Sequence, residues 1–145
     1  MTETGYEQDF YAWLNKQAAH LRAKRWDAVD VMNVAEELED MARSERRAVE
    51  SRLNTLLVHL LKWRWQPTHR SGSWRSSIEH ARDALDDLLQ ESPSLRPQLL
   101  TMLPKQYRRA RRYAAHETTL PEATFPATCP WSLDELQDQD FLPEA

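Results

Sequence analysis

Apolar side chains recur along most of this chain at spacings of three and four, with polar residues filling the opposite face of a 3.6-residue period. Phe10, Trp13, Leu14, Ala18 and Leu21 keep to one face, which predicts a first helix from about Tyr6 to Ala23. A Thr4–Glu7 capping-box pattern would open it. Val34, Leu38, Met41, Val49, Leu53, Leu56 and Leu60 trace a longer stripe, interrupted near Glu45. They predict a second helix from Asp30, whose carboxylate caps it, to about Trp65. Neither Gly nor Pro occurs between Asp27 and Gln66. Gly costs about 1 kcal/mol and Pro about 3 in a helix interior, so this segment contains no breaker.

Residues 66–72 read as a loop, because Pro67 disfavours helix at Gln66 and Gly72 relaxes the backbone. Ser73 then caps a third helix to about Glu91, with Trp74, Ile78, Ala81, Leu85 and Leu88 inward. Ser92-Pro93-Ser94 turns the chain into a fourth helix, Leu95 to about Glu117. Pro97 is tolerated in its first turn, whereas Pro104 should kink or split it. Prolines 121, 126, 130 and 143 rule out long helices afterwards. The Ser132–Glu135 capping box predicts one short helix near Leu133–Asp138.

The expected fold is all-α: an antiparallel bundle of about four helices with one long spine helix and a Pro-rich acidic C-terminal tail carrying a short helix. Residues 1–118 form the bundle and residues 119–145 the tail packing on it, as one domain overall. The spine outruns its partners. Either two shorter helices stack end to end along it, or a second subunit buries the excess.

Charge adds one feature to this pattern. The net charge of −4 is uneven: residues 117–145 hold seven acids and no Lys or Arg, while the preceding residues carry a surplus of three positive charges. The acidic tail is expected to pack back across the cationic body. No apolar run approaches the ~18 residues of a membrane span. The opening Met-Thr-Glu-Thr-Gly offers neither part of an export signal, and Cys129 is the single cysteine. The expected setting is a reducing cytoplasm, with no membrane partner.

Eight ordered blocks are similar to one known family: Tyr6-Glu-Gln-Asp-Phe-Tyr-Ala-Trp13, Glu36 to Arg47, His59-Leu-Leu-Lys-Trp63, Ser73-Trp74, Ser92-Pro-Ser-Leu95, Glu117-Thr118, Cys129-Pro-Trp131 and Asp140-Phe-Leu-Pro143. In this order and spacing the chain resembles the bacterial family catalogued as domain of unknown function twenty-nine. The resemblance implies an all-helical cytoplasmic protein of bacteria, cyanobacteria and proteobacteria especially. It brings no assigned activity and no catalytic residues. In that family the loop after the second helix usually lacks a histidine such as His69.

Catalytic and metal chemistry find little support in the residues. The di-iron bundle pattern needs a Glu three residues before a His; here those positions are Gln17, Leu56, Gln66, Ser77 and Tyr113. There is no His-Glu-x-x-His motif and no cysteine pair, so no metal or cofactor is expected. Cys129 has no base near it in sequence to activate it, and Cys-Pro-Trp reads as an apolar plug. Ser71-Gly72-Ser73 offers only a weak anion site. Glu36, Glu37, Glu39 and Asp40 read as a solvated, ion-paired face.

Basic clusters with aromatic neighbours are the better lead. Lys62, Trp63, Arg64, Trp65, Arg70, Trp74 and Arg75 gather around the end of the second helix, and Lys105, Arg108, Arg109 and Arg112 form one stripe of the fourth. Trp63 and Trp65, two apart on a helix, cannot both point into one core. These eleven residues are the candidate interaction surface. The expected function is a non-enzymatic helical interaction or adaptor protein whose partner is a protein, itself included. One alternative is nucleic-acid binding through the same cations, against which a pI near 5.7 weighs. Another is an enzyme whose site assembles from separate helices around His59 and His69.

Overall fold

The computed structural model describes residues 5–144, so the Thr4–Glu7 capping pattern lies outside the described residues. Among them are five α-helices and no strand: α1 (Phe10–Arg22), α2 (Val31–Trp65), α3 (Gly72–Glu91), α4 (Leu99–Thr118) and α5 (Leu133–Gln137). The fold is all-α. None of its helices is long and apolar enough to cross a membrane. The chain divides between Ser44 and Glu45 into two compact units.

The N-terminal unit contains α1 and the first part of α2. α1 starts four residues later than the sequence predicts, because Asp9 caps it by accepting the Ala12 amide at 3.0 Å. Tyr6 is drawn out of the helix instead. Its ring packs edge-on against Phe10 and Trp13, and its hydroxyl donates to Glu37. Asp30 caps α2 through the Asn33 amide and also accepts from the Trp13 indole at 3.1 Å. Gln17 accepts the Asp30 amide at 2.7 Å. Of this unit's described residues, only Trp13 and Gln17 are buried.

The C-terminal unit holds the core. From Leu56 to Lys62 every residue of α2 except His59 is buried. Successive residues turn by about 100°, so burial this dense means the helix is covered on every side but that of His59. Three contacts join α2 and the residue after it to α4 and the residue before it: Arg46 with Gln98, Asn54 with the Gln106 carbonyl, and Gln66 with the Thr118 carbonyl. Each spans 52 residues. A constant offset means the two helices run in the same direction, with α3 carrying the chain back between them. α3 contributes Ile78, Ala81, Leu85 and Leu89, and α4 contributes Leu99, Met102, Tyr107, Ala110 and Ala114.

Several local details depart from the periodicity. Ser71, not Ser73, caps α3 by accepting the Trp74 amide at 3.2 Å. Leu89 is fully buried where Leu88 is only partly so. Residues 93–98 form a 3-10 turn before α4 begins. Pro104 does not split α4; the carbonyl it leaves unbonded belongs to Leu100, which is exposed to water. α4 ends on Thr119 at φ 60°, a left-handed cap made without glycine.

The segment after α4 is fixed to the bundle through its backbone. Arg82, 3% exposed, donates from Nε to the Leu136 carbonyl at 2.8 Å and from Nη2 to the Glu135 carbonyl at 3.3 Å. Arg111 Nε donates to the Phe125 carbonyl at 3.1 Å, and the Tyr107 hydroxyl donates to the Pro126 carbonyl at 2.6 Å. Phe125, Trp131 and Leu136 then join the core, and α5 is opened by the Ser132–Glu135 capping box. Arg82→Met would orphan the Leu136 carbonyl and remove a second charge-assisted bond to the Glu135 carbonyl, which keeps the Asp138 amide, at about 2–3 kcal/mol. The expected result is a melting temperature lower by roughly 5–10 °C, with faster proteolysis after residue 119. Unchanged melting and cleavage would contradict the clamp.

Candidate interaction surface

Each cation at the end of α2 is matched to an aromatic ring of the same unit. Lys62, buried, sets its ammonium 4.7 Å from the Trp74 ring centre and 3.7 Å from Glu117. Arg64 lies 4.8 Å over Trp65. Arg70 lies 4.9 Å over Trp63 while its Nε donates to the Trp63 carbonyl at 2.8 Å, a bond that closes the loop after α2. Arg75 pairs with Glu79 one turn along α3 at 3.4 Å. Cation–ring contacts contribute about 0.5–1 kcal/mol at exposed sites and more when desolvated.

The two-residue spacing of Trp63 and Trp65 resolves in a specific way. Trp65 turns toward the tail, edge-on to Phe125 at 5.8 Å and tilted against Trp131 at 6.2 Å. Trp63 takes the Arg70 cover. Both are half-buried. Seven of the eleven residues named from the sequence are thereby engaged with their own chain.

The other four behave differently. Lys105, Arg108, Arg109 and Arg112 are all exposed on α4, and none forms an ion pair among the described residues. Arg112 lies 5.4 Å over Tyr113. Arg109 lines a shallow depression between α4 and α2 together with Arg47, Glu50 and Gln106. Arg111, three residues after Arg108 and beside this stripe, is the arginine that holds the tail.

The histidines fall apart as a group. His59 lines an open depression with His116, Glu117 and Tyr113, and its Nδ1 sits 2.8 Å from the Thr55 carbonyl. A carbonyl only accepts, so that nitrogen carries the proton. His69 lies on the 3-10 turn Pro67–His69 beside Thr68. Among the described residues no three His, Cys, Asp or Glu side chains are grouped as metal ligands would be. Burial pushes the Cys129 thiol above its ordinary value, with the Trp131 carbonyl 3.5 Å from its sulfur. A thiol held neutral in this way is a poor nucleophile.

The exposed surface that the sequence reading passed over is apolar. Nine of the eleven large hydrophobic side chains exposed among the described residues lie between Phe10 and Met41. Leu38 and Met41, expected on the inward stripe of α2, are 61% and 65% exposed. Phe10, Leu14 and Leu21 of the α1 stripe are exposed as well. The signal was present in the interrupted pattern at Glu45, where the stripe passes from one unit to the other.

These features define a small all-α protein with a closed helical core in one unit and an open apolar face in the other. The chain belongs to the family described as domain of unknown function DUF29, matched over residues 5–142. No curated protein and no solved structure matches it.

One titration follows from the packing of Tyr107. Burial, chiefly, pushes its phenol up to about 12 from 10.0, with nearby Cys129 adding to the rise. The neutral phenol is the form the fold favours. Its contribution is therefore complete below about pH 10 and fades as pH rises from there toward 12. Tyr107→Phe is expected to cost about 1 kcal/mol at pH 7 and to flatten part of the alkaline loss seen in pH-dependent denaturant melts. Tyr6, also raised to about 12 beside Glu37, supplies part of the slope that remains. An unaltered alkaline profile in the variant would contradict this assignment.

Proposed function

We propose that this protein is a non-enzymatic helical interaction module, and that its docking surface is the apolar face of the N-terminal unit. The supporting observation is the crowding of exposed Phe, Leu, Val, Met, Tyr and Trp side chains into residues 10–41. A pair of helices with one buried Trp and one buried Gln has almost no core of its own. Exposed apolar area of this extent in a folded protein marks a contact surface. The Arg- and Trp-bearing end of α2 fits the role less well, because its cations and rings already cover one another.

A photo-crosslinking side chain at Leu38 in the intact protein is expected to trap a protein in its source lysate. The same probe at Asp87, exposed on α3, is expected to trap several-fold less. Equal yields at the two positions would contradict the docking reading.

The unpaired cations of α4 favour a second reading, in which Lys105, Arg108, Arg109 and Arg112, with Arg47 nearby, contact a nucleic-acid backbone. Four neutralised phosphates would give a log–log salt slope of about −4 on duplex DNA. Arg108→Glu with Arg109→Glu is expected to abolish retardation in a mobility-shift titration. No retardation of duplex or single strand at low salt rejects this reading.

A further inference from the structure

We propose that the occupant of the apolar N-terminal face is a second copy of this chain, with α1 of each copy lying on the first part of α2 of the other. The inference rests on the docking reading above and names its partner. Three observations carry it.

The first is charge. Residues 10–25 contain Lys16, Arg22, Lys24 and Arg25 and no acid; residues 26–42 contain six acids and no base. On the helices themselves this leaves Lys16 and Arg22 on α1 against Glu36, Glu37, Glu39 and Asp40 on the first part of α2. No ion pair joins the two helices within the chain among the described residues. Asp30, Glu37 and Asp40 are engaged with Trp13, Tyr6 and Arg43, while Lys16 and Arg22 on α1 and Glu36 and Glu39 on α2 form no ion pair among the described residues. A two-fold contact that sets α1 of one copy against α2 of the other satisfies both at once, whereas any like-with-like arrangement opposes them.

The second is spacing. Phe10, Leu14 and Leu21 on α1 and Val34, Leu38 and Met41 on α2 share the alternating three- and four-residue step of a heptad. Helices sharing this step pair side by side at about 20°, and two such hairpins close into a four-helix bundle.

The third is area. Phe10, Leu14, Leu21, Leu38 and Met41 are 41–65% exposed. Side chains that present about 150–250 Å² when free leave on the order of 450 Å² in water across these five. An ordinary dimer buries about 800 Å² from each partner, slightly more than half of it apolar. One further copy supplies enough surface to cover the face.

Sedimentation equilibrium on the purified full chain tests this without any other protein present. The wild type is expected to be dimeric at tens of micromolar. Leu38→Glu with Met41→Glu is expected to weaken association at least tenfold while circular dichroism remains helical. Charge reversal gives a sharper signature. A chain carrying Lys16→Glu and Arg22→Glu, and another carrying Glu36→Lys and Glu39→Lys, are each expected to be monomeric. Mixed in equal amounts they are expected to dimerise again, because reversed α1 then meets reversed α2. A monomeric wild type at 100 µM, a dimer indifferent to the Leu38 and Met41 changes, or a mixture that stays monomeric overturns the proposal. If the wild type is monomeric while the Leu38 crosslinker traps a different protein, self-pairing fails and the docking reading stands. If neither occurs, both fail.

Discussion

Between Leu56 and Leu61 α2 is apolar and buried on every side but that of His59, and the larger unit follows from the need to cover it. Two neighbouring helices cover only part of a cylinder. α3 and α4 pack along it, and the segment from Phe125 to Leu136 closes what remains. A Pro-rich segment cannot cover a helix with a helix of its own of any length, so it does so with Phe125, Trp131 and the short α5. Its backbone carbonyls, drawn out of water, need donors. Arg82, Arg111 and Tyr107 provide them. The buried Arg82 is tolerable here because its guanidinium is hydrogen-bonded to the Leu136 and Glu135 carbonyls.

The first half of the same helix obeys a different rule. Its apolar residues form a stripe rather than a cylinder, and a stripe needs only one covering surface. α1 supplies part of it through Trp13 and Gln17, held by Asp30. The rest of the stripe on both helices stays in water. One continuous helix therefore carries a finished interior at one end and an unfinished interface at the other. Polar side chains mark the change: Arg46 turns to Glu50 and Gln98 where the buried run is about to begin at Val49.

Much of the architecture was legible in the chain. The absence of Gly and Pro from residues 28–65 identifies the long helix, and the turns at Gln66–Gly72 and Ser92–Ser94 set the lengths of its neighbours. What failed to show depends on competition between nearby groups. Asp9 and Ser71 win the capping positions because their side chains reach the Ala12 and Trp74 amides, whereas Tyr6 is better placed against Trp13 and Glu37. Pro104 leaves α4 continuous where Leu100, the residue whose carbonyl it deprives, is exposed, a fact about exposure that spacing does not contain. The candidate surface was hardest to read. Sequence gives the sign of a charge but not its partner, and Lys62, Arg64 and Arg70 spend theirs on Trp74, Trp65 and Trp63. The apolar stripe of α1 and early α2 reads as core, since periodicity alone cannot say whether the covering surface lies in the same chain.

Hydrogen–deuterium exchange on the intact protein, followed over a hundredfold range of concentration, tests this division most directly. Amides of residues 49–62 are expected to exchange slowly at every concentration, while those of residues 10–42 exchange quickly when dilute and become protected as concentration rises. Equal, concentration-independent protection of both segments would contradict it, because the first half of α2 would then have a complete interior of its own.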